Sequence, residues 1–141
     1  MKTNLTLLRY LTIQRGLNAL YLGLSFLLSR FFKKNLHFGM PMHVSIEPTT
    51  ACNLACPECP SGLKRFNRAT GKLDLEAHRT WLEQIRGSVF YTTYYFQGEP
   101  FINKDILEMV SYANSQKIFT STSTNAHFLT DEICDKIIDS G

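Results

Sequence analysis

Three of the four cysteines in the chain fall within eight residues, at Cys52, Cys56 and Cys59, and this spacing constrains the fold more than any other feature. An odd, clustered set cannot pair off as disulfides without leaving a thiol over. C-x3-C-x2-C therefore reads as a metal loop and favours a reducing compartment. Thiolates are soft ligands suited to zinc or to iron–sulfur clusters. Structural zinc takes four ligands, normally as two pairs set apart. There is no second pair of cysteines here, and the candidate fourth ligands His43 and His78 sit at no usual finger spacing. Three thiolates on one tight loop can instead reach three corners of a cubane. One iron is then left open, and an open metal position is where chemistry happens. A zinc- or iron-stabilised binding module without catalysis stays open at this stage. Cys134, remote from the cluster in a helical pattern, reads as a small buried hydrophobe.

The loop is set in a regular alternation of strands and helices. His43–Pro48 reads as a strand closed by proline, and Asp74 as the N-cap of a helix over Leu75–Arg86 stopped by Gly87. Ser88–Gln97, rich in β-branched and aromatic residues, reads as a second strand, and Ile118–Thr124 as a third. Between them Asn103 is the expected cap of a helix to about Gln116. Thr130 caps a last helix with Asp131 and Glu132 in its first turn, where they complement the helix dipole. Repeated β-then-α units predict a parallel sheet with helices outside it. Buried parallel strands usually read as unbroken apolar runs. Here Ser45, Glu47, Thr93, Gln97, Ser121 and Ser123 interrupt them, as expected if one face lines a polar cavity. Tyr91, Tyr94, Tyr95 and Phe96 are expected in the core, and the basic stretch Lys64, Arg65, Arg68 and Lys72 in a solvated loop.

A length of 141 residues with 44% apolar and 19% charged residues suits one globular domain. Charge is unevenly distributed. Residues 1–46 hold six bases and no acid, whereas the rest hold nine bases and twelve acids. No basic, aromatic-interleaved surface of a nucleic-acid binder is present.

Residues 1–37 form one helical pattern, with Gly16 as a candidate break. Leu17, Leu20, Tyr21, Leu24, Leu27, Leu28 and Phe31 recur at helical spacing opposite a narrow polar strip of Asn18, Ser25 and Ser29. The 14 uncharged residues between Arg15 and Arg30 fall short of the ~20 a bilayer crossing needs. Three readings compete: a helix docked on the enzyme body or on a partner subunit, an interfacial helix whose bases meet anionic lipid, and a secretory signal. The last lacks a small-residue cleavage site after the run, which ends Ser29-Arg30-Phe31-Phe32. A membrane-associated scaffold is the corresponding non-enzymatic reading.

A strand, then C-x3-C-x2-C, then a helix, then a second strand ending in Gly98-Glu99-Pro100, resembles the radical SAM superfamily. The flanking words Glu47-Pro48-Thr49-Thr50-Ala51 and Pro57-Glu58-Cys59-Pro60-Ser61-Gly62 resemble its SPASM-type members, as do the Thr70-Gly71 turn and Ser123-Thr124-Asn125. The resemblance implies the first half of a partial (βα)6 TIM-like barrel of α/β class, with residues 1–37 as an N-terminal apolar and basic helix and residues 38–141 as a core truncated after about three βα units. It implies a 4Fe-4S cluster held by Cys52, Cys56 and Cys59, with S-adenosyl-L-methionine on the open iron. It implies reductive cleavage to methionine and a 5′-deoxyadenosyl radical that abstracts hydrogen from a substrate. Gly98, Glu99 and Pro100 are then expected at the methionine ammonium, with Glu99 shaping the turn and salt-linked nearby, and Ser123 and Asn125 on the cofactor. A flavodoxin- or ferredoxin-like electron donor, a peptide or cofactor-precursor substrate and a cytoplasmic, membrane-peripheral location complete the expectation. The sequence departs from the family at Glu58, where an aromatic residue is usual, and at Ala126, where Thr-Asn-Gly is usual. The piece alone is not expected to be catalytically competent.

Overall fold

The computed structural model describes residues 9–141. The part of the N-terminal pattern in residues 1–8 lies outside them. Helix α1 is Ile13–Phe32, capped by the Thr12 side chain on the Arg15 amide and ended by Lys33 in the left-handed region. Gly16 does not break it, because its amide donates to the Thr12 carbonyl within the first turn. Strand β1, His43–Ser45, is followed by the cysteine loop and by helix α2, Leu75–Ile85. Strand β2 is Tyr91–Thr93. A 3-10 turn over Pro100–Ile102 then leads to helix α3, Ile106–Ser115. Strand β3, Phe119–Ser121, and helix α4, Asp131–Ser140, complete the order.

The three strands are parallel in the order β1-β2-β3, with His43, Tyr91 and Phe119 in register. The α/β class and the parallel half-barrel expected from the sequence are what the chain forms. Each regular ladder is shorter than the sequence suggests. One further bond on each side extends it, from Ile46 to Thr93 and from Tyr94 to Ser121. Beyond these, hydroxyls displace the ladder: Ser45 donates to the Tyr95 carbonyl and Thr122 to the Tyr94 carbonyl. Short polar side chains that bond the backbone compete with strand pairing in this way.

Alternation along the strands separates two faces. Val44 and Ile46 face the helices, over a core of Leu82, Val89, Tyr94, Ile106, Met109, Ala113 and Ile118. The opposite face carries Ser45, Thr93 and Ser121, in register across the three strands, while Glu47, Gln97 and Ser123 lie just beyond the strands' C-terminal ends. On that face His43 stacks on Tyr91 and bonds Thr93, while Tyr91 bonds Ser121. Of the four aromatics expected in the core, Tyr94 is buried. Tyr91 lies on the polar face, and Tyr95 and Phe96 are 41% and 72% exposed where β2 has left the ladder. Cys134 is exposed, contrary to expectation. Helix α4 turns Ile133, Ile137 and Ser140 inward, and Cys134 is one step off that stripe.

Two helix starts follow their local signals. Asp74 accepts from the amides of Glu76 and Ala77, and Thr130 from that of Ile133. The N-cap of α3 is Asp105, not Asn103. Asn103 is wholly buried just before it: its Oδ1 accepts from the Asp105 amide, and its amide nitrogen donates to the carbonyls of Pro48 and Leu73.

Candidate active site

The cysteine loop leaves the sheet at the C-terminal end of β1 and returns through a closed neck. Thr49 and Lys72 form an antiparallel bridge, the amides of Thr50 and Leu73 donate to Gly71 and Pro48, and both Thr49 and Thr50 hydroxyls reach the Gly71 carbonyl. Arg68 pairs with Glu47 at 2.7 Å across the same neck. Lys72 approaches Asp105, and Lys64 and Arg65 are exposed, as expected of a solvated loop. Asn103 supports the neck from beneath through its bond to Pro48. Closing a loop of this length costs chain entropy, and a bonded base offsets that cost once for the whole excursion.

Within the loop the chain turns tightly. The Cys59 amide donates to Cys56, and those of Leu63 and Arg65 to Cys59 and Pro60. A Cβ on Gly62 would lie 2.5 Å from the Cys56 amide nitrogen, so only glycine lets the two limbs touch. Hydrogen bonds from the backbone amides of Gly62 and then Ser61 hold the Cys59 thiol below its ordinary pKa. Backbone donors at a sulfur favour the thiolate, the form in which cysteine binds metal. None of the three cysteines is in a disulfide. The candidate zinc ligands His43 and His78 are engaged elsewhere, with Thr93 and with Tyr94 at 2.7 Å. Among the described residues no three His, Cys, Asp or Glu side chains converge to hold a single ion. An iron–sulfur cubane is bound differently, by thiolates on separate irons. The free thiols, the tight turn and the thiolate-favouring amides fit that group.

The turn after β2 is pressed against this loop. Gly98 has φ +78, and a Cβ there would fall 2.2 Å from the Thr49 carbonyl and 2.8 Å from that of Ala51. The Glu99 amide donates to Ala51 at 2.8 Å. Ser61 joins the two limbs from the other side, donating to Gln97 Oε1 and accepting from the Gly98 amide. Cys59 Sγ lies 3.6 Å from the same Gln97 oxygen. Pro100 opens the 3-10 turn and is buried.

Glu99 does not point into the open face. It is 2% exposed, and its carboxylate accepts from the Phe101 amide, the Thr124 hydroxyl and the Asn125 amide. Its carboxylate bonds shape the turn and tie the end of β2 to the end of β3. Asn125 is brought back to the cysteine loop, donating to Asn53 Oδ1, and Asn53 bonds His127 Nδ1 at 2.8 Å. Ser123 sits exposed at the end of β3. Ala126, in place of the usual glycine, adopts φ +67. Sequence reasoning missed the Asn53–Asn125–His127 link, whose partners lie more than 70 residues apart and carry no local signal.

The chain is 29% identical over 104 residues to the PqqA peptide cyclase of Bradyrhizobium diazoefficiens, covering 74% of this chain and 27% of that protein. It is 32% identical over 98 residues to the mycofactocin maturase MftC of Mycobacterium tuberculosis, covering 69% and 24%. The chain thus spans about a quarter of the length of these relatives. Among solved structures it resembles BtrN in complex with AdoMet and 2-DOIA, with a TM-score of 0.64, 22% identity, and coverage of 74% of this chain and 44% of that one. It also resembles Streptococcus suis SuiB bound to S-adenosylmethionine, with a TM-score of 0.60, 24% identity, and coverage of 81% and 26%. These likenesses show the fold. The pattern of the Radical SAM superfamily, whose cofactors are a 4Fe-4S cluster and S-adenosylmethionine, matches residues 46–141. With its cysteine loop and Gly98 turn inside that match, the chain belongs to the radical SAM superfamily.

Proposed function

We propose that this chain forms the cluster-bearing part of a SPASM-type radical SAM enzyme that modifies a peptide. Cys52, Cys56 and Cys59 each ligate one iron of a 4Fe-4S cluster. When bound, the cluster and S-adenosylmethionine supply a reductively generated 5′-deoxyadenosyl radical that abstracts hydrogen from the substrate. The backbone at Gly98–Pro100 receives the methionine ammonium, and Ser123 and Asn125 lie along the remainder of the cofactor. Glu99 acts as a positioning residue, holding the ends of β2 and β3 at fixed separation. A flavodoxin- or ferredoxin-like protein delivers the electron. A peptide substrate is favoured because the relatives are named as a peptide cyclase and a maturase.

The observation that carries the reading is the junction between two segments far apart in sequence. Gly98 packs on Thr49 and Ala51 at a distance no side chain would permit, so the cofactor turn and the cysteine loop form one rigid unit. Anaerobic reconstitution with iron and sulfide tests it. About four irons per chain are expected, as a cubane requires, with loss of the cluster absorption in each of Cys52→Ala, Cys56→Ala and Cys59→Ala. Stoichiometric zinc with no iron uptake would sink the proposal.

A further inference from the structure

Helix α1 is built inside out. Its buried residues are Arg15 and, from the polar strip of the sequence pattern, Asn18 and Ser25, with Ser29 half-buried. Asn18 exchanges two bonds with the Met40 backbone, and the Ser29 hydroxyl bonds both the amide and the carbonyl of Leu36. The Arg15 guanidinium, 3% exposed, donates to the carbonyls of Tyr10, Arg86, Gln116 and Lys117. It thereby satisfies the C-terminal ends of α2 and α3, where a cation complements the helix dipole.

The apolar stripe is consequently left uncovered: its start at Ile13, Leu17 and Tyr21 borders a groove shared with Glu83 and Gln84 of α2, and from Leu20 onward it faces away from the protein. Ile13 is 87% exposed, Leu20 65%, Leu27 63% and Phe31 79%, with Leu17, Tyr21 and Leu24 about half exposed on the same face. A contiguous patch on the order of several hundred Å² is more than a soluble surface ordinarily leaves open. The helix is not long and apolar enough to cross a membrane. Its exposed charges are all positive: Arg9 before it, and Arg30, Lys33 and Lys34 at its end, with no acid anywhere in residues 1–46. Glu83, in the groove beside Ile13 and Leu17, is paired with Arg86. An apolar stripe whose own flanking charges are all cations complements an anionic lipid surface, into which such a helix lies in the plane of the headgroups.

We infer that α1 docks this protein on an anionic membrane surface through Leu17, Leu20, Leu24, Leu27 and Phe31, with Arg30, Lys33 and Lys34 on the lipid phosphates. Arg15 and Asn18 fasten α1 beneath the N-terminal ends of the strands, whereas the cysteine loop and the Gly98 turn stand at their C-terminal ends. The candidate active site therefore points away from the bilayer, toward a water-borne substrate. This inference is independent of the cluster chemistry.

Flotation of the intact protein with phosphatidylglycerol vesicles, against phosphatidylcholine vesicles as reference, tests it. The protein should float with the anionic vesicles and be released by high salt. Leu20→Glu with Leu27→Glu should weaken binding by about tenfold or more, and Arg30→Gln with Lys34→Gln should weaken it by about tenfold. All four side chains are exposed, so an unchanged melting temperature and unchanged iron content would show that the fold is kept. The inference is overturned if the intact protein stays out of the anionic vesicles or binds neutral ones equally. It is also overturned if Leu20→Glu with Leu27→Glu dissociates a dimer or unfolds the protein, since a second copy or the rest of the chain would then be what covers the face.

Discussion

Gly98 and Ala126 occupy the same left-handed half of backbone space for opposite reasons. At Gly98 both the φ of +78 and the carbonyls of Thr49 and Ala51 forbid a side chain. Gly98→Ala should destabilise the fold by about 2–4 kcal/mol and separate the turn from the cysteine loop. Denaturant titration measures the first effect, and a weakened response to S-adenosylmethionine at retained iron content the second. Ala126, at φ +67, bears the cost that glycine would spare. Ala126→Gly should raise stability by about 0.5–1 kcal/mol, read as a higher denaturation midpoint; a lower midpoint would mean that the Ala126 methyl packs usefully. The cysteines and the Gly98 turn were readable in the sequence because their chemistry depends on spacing along the chain. The task of Glu99 was not readable, because its partners Thr124 and Asn125 arrive only when β3 pairs with β2.

At the scale of elements, what is local was legible and what is tertiary was not. Asp74 and Thr130 declare their helices because a cap bonds amides two or three residues on. Asn103 offers the same signal and its Oδ1 accepts from the Asp105 amide, yet α3 starts only after Asp105. What the sequence did not show is that the Asn103 amide nitrogen reaches the distant carbonyls of Pro48 and Leu73. Asn103→Ala should cost roughly 2–3 kcal/mol, since it strands two buried carbonyls and opens the neck of the cysteine loop; a change below measurement error would contradict that role. The seven apolar positions of α1 were legible as a stripe, but periodicity cannot say which way a stripe faces. The answer lies in Arg15, whose four carbonyl partners come from three separate segments. Arg15→Met should release α1 to proteolysis at concentrations that leave the native protein intact, while iron loading is unchanged. Loss of iron together with α1 would contradict the separation of the two ends.

For the molecule as a whole, the parallel half-barrel stands on a core that holds the buried titratable pair His78 and Tyr94. His78, with no exposed surface, bonds Tyr94 through Nε2, and its Nδ1 has no partner among the described residues. Burial, with a smaller contribution from Arg79, lowers the His78 pKa from 6.5 to about 4, and burial raises that of Tyr94. A lowered histidine pKa means that the unfolded chain takes up the proton first. The stability it protects is complete above about pH 6.5 and is lost as the pH falls toward 4, by roughly 2–3 kcal/mol. Urea titrations across that range should show the loss, and His78→Leu should flatten it; a slope unchanged in the variant would assign the effect to other groups. The polar face that carries His43, Ser45, Thr93 and Ser121 is the side of the sheet opposite the helix-covered core, and it is the side free to line a cavity.

The central claim is that one turn and one loop, joined at Gly98, present a cluster with an open iron to S-adenosylmethionine. The reduced, reconstituted protein should show a single 4Fe-4S electron paramagnetic resonance signal whose shape changes when S-adenosylmethionine is added. A signal that is identical with and without S-adenosylmethionine, at full iron content, would contradict the claim.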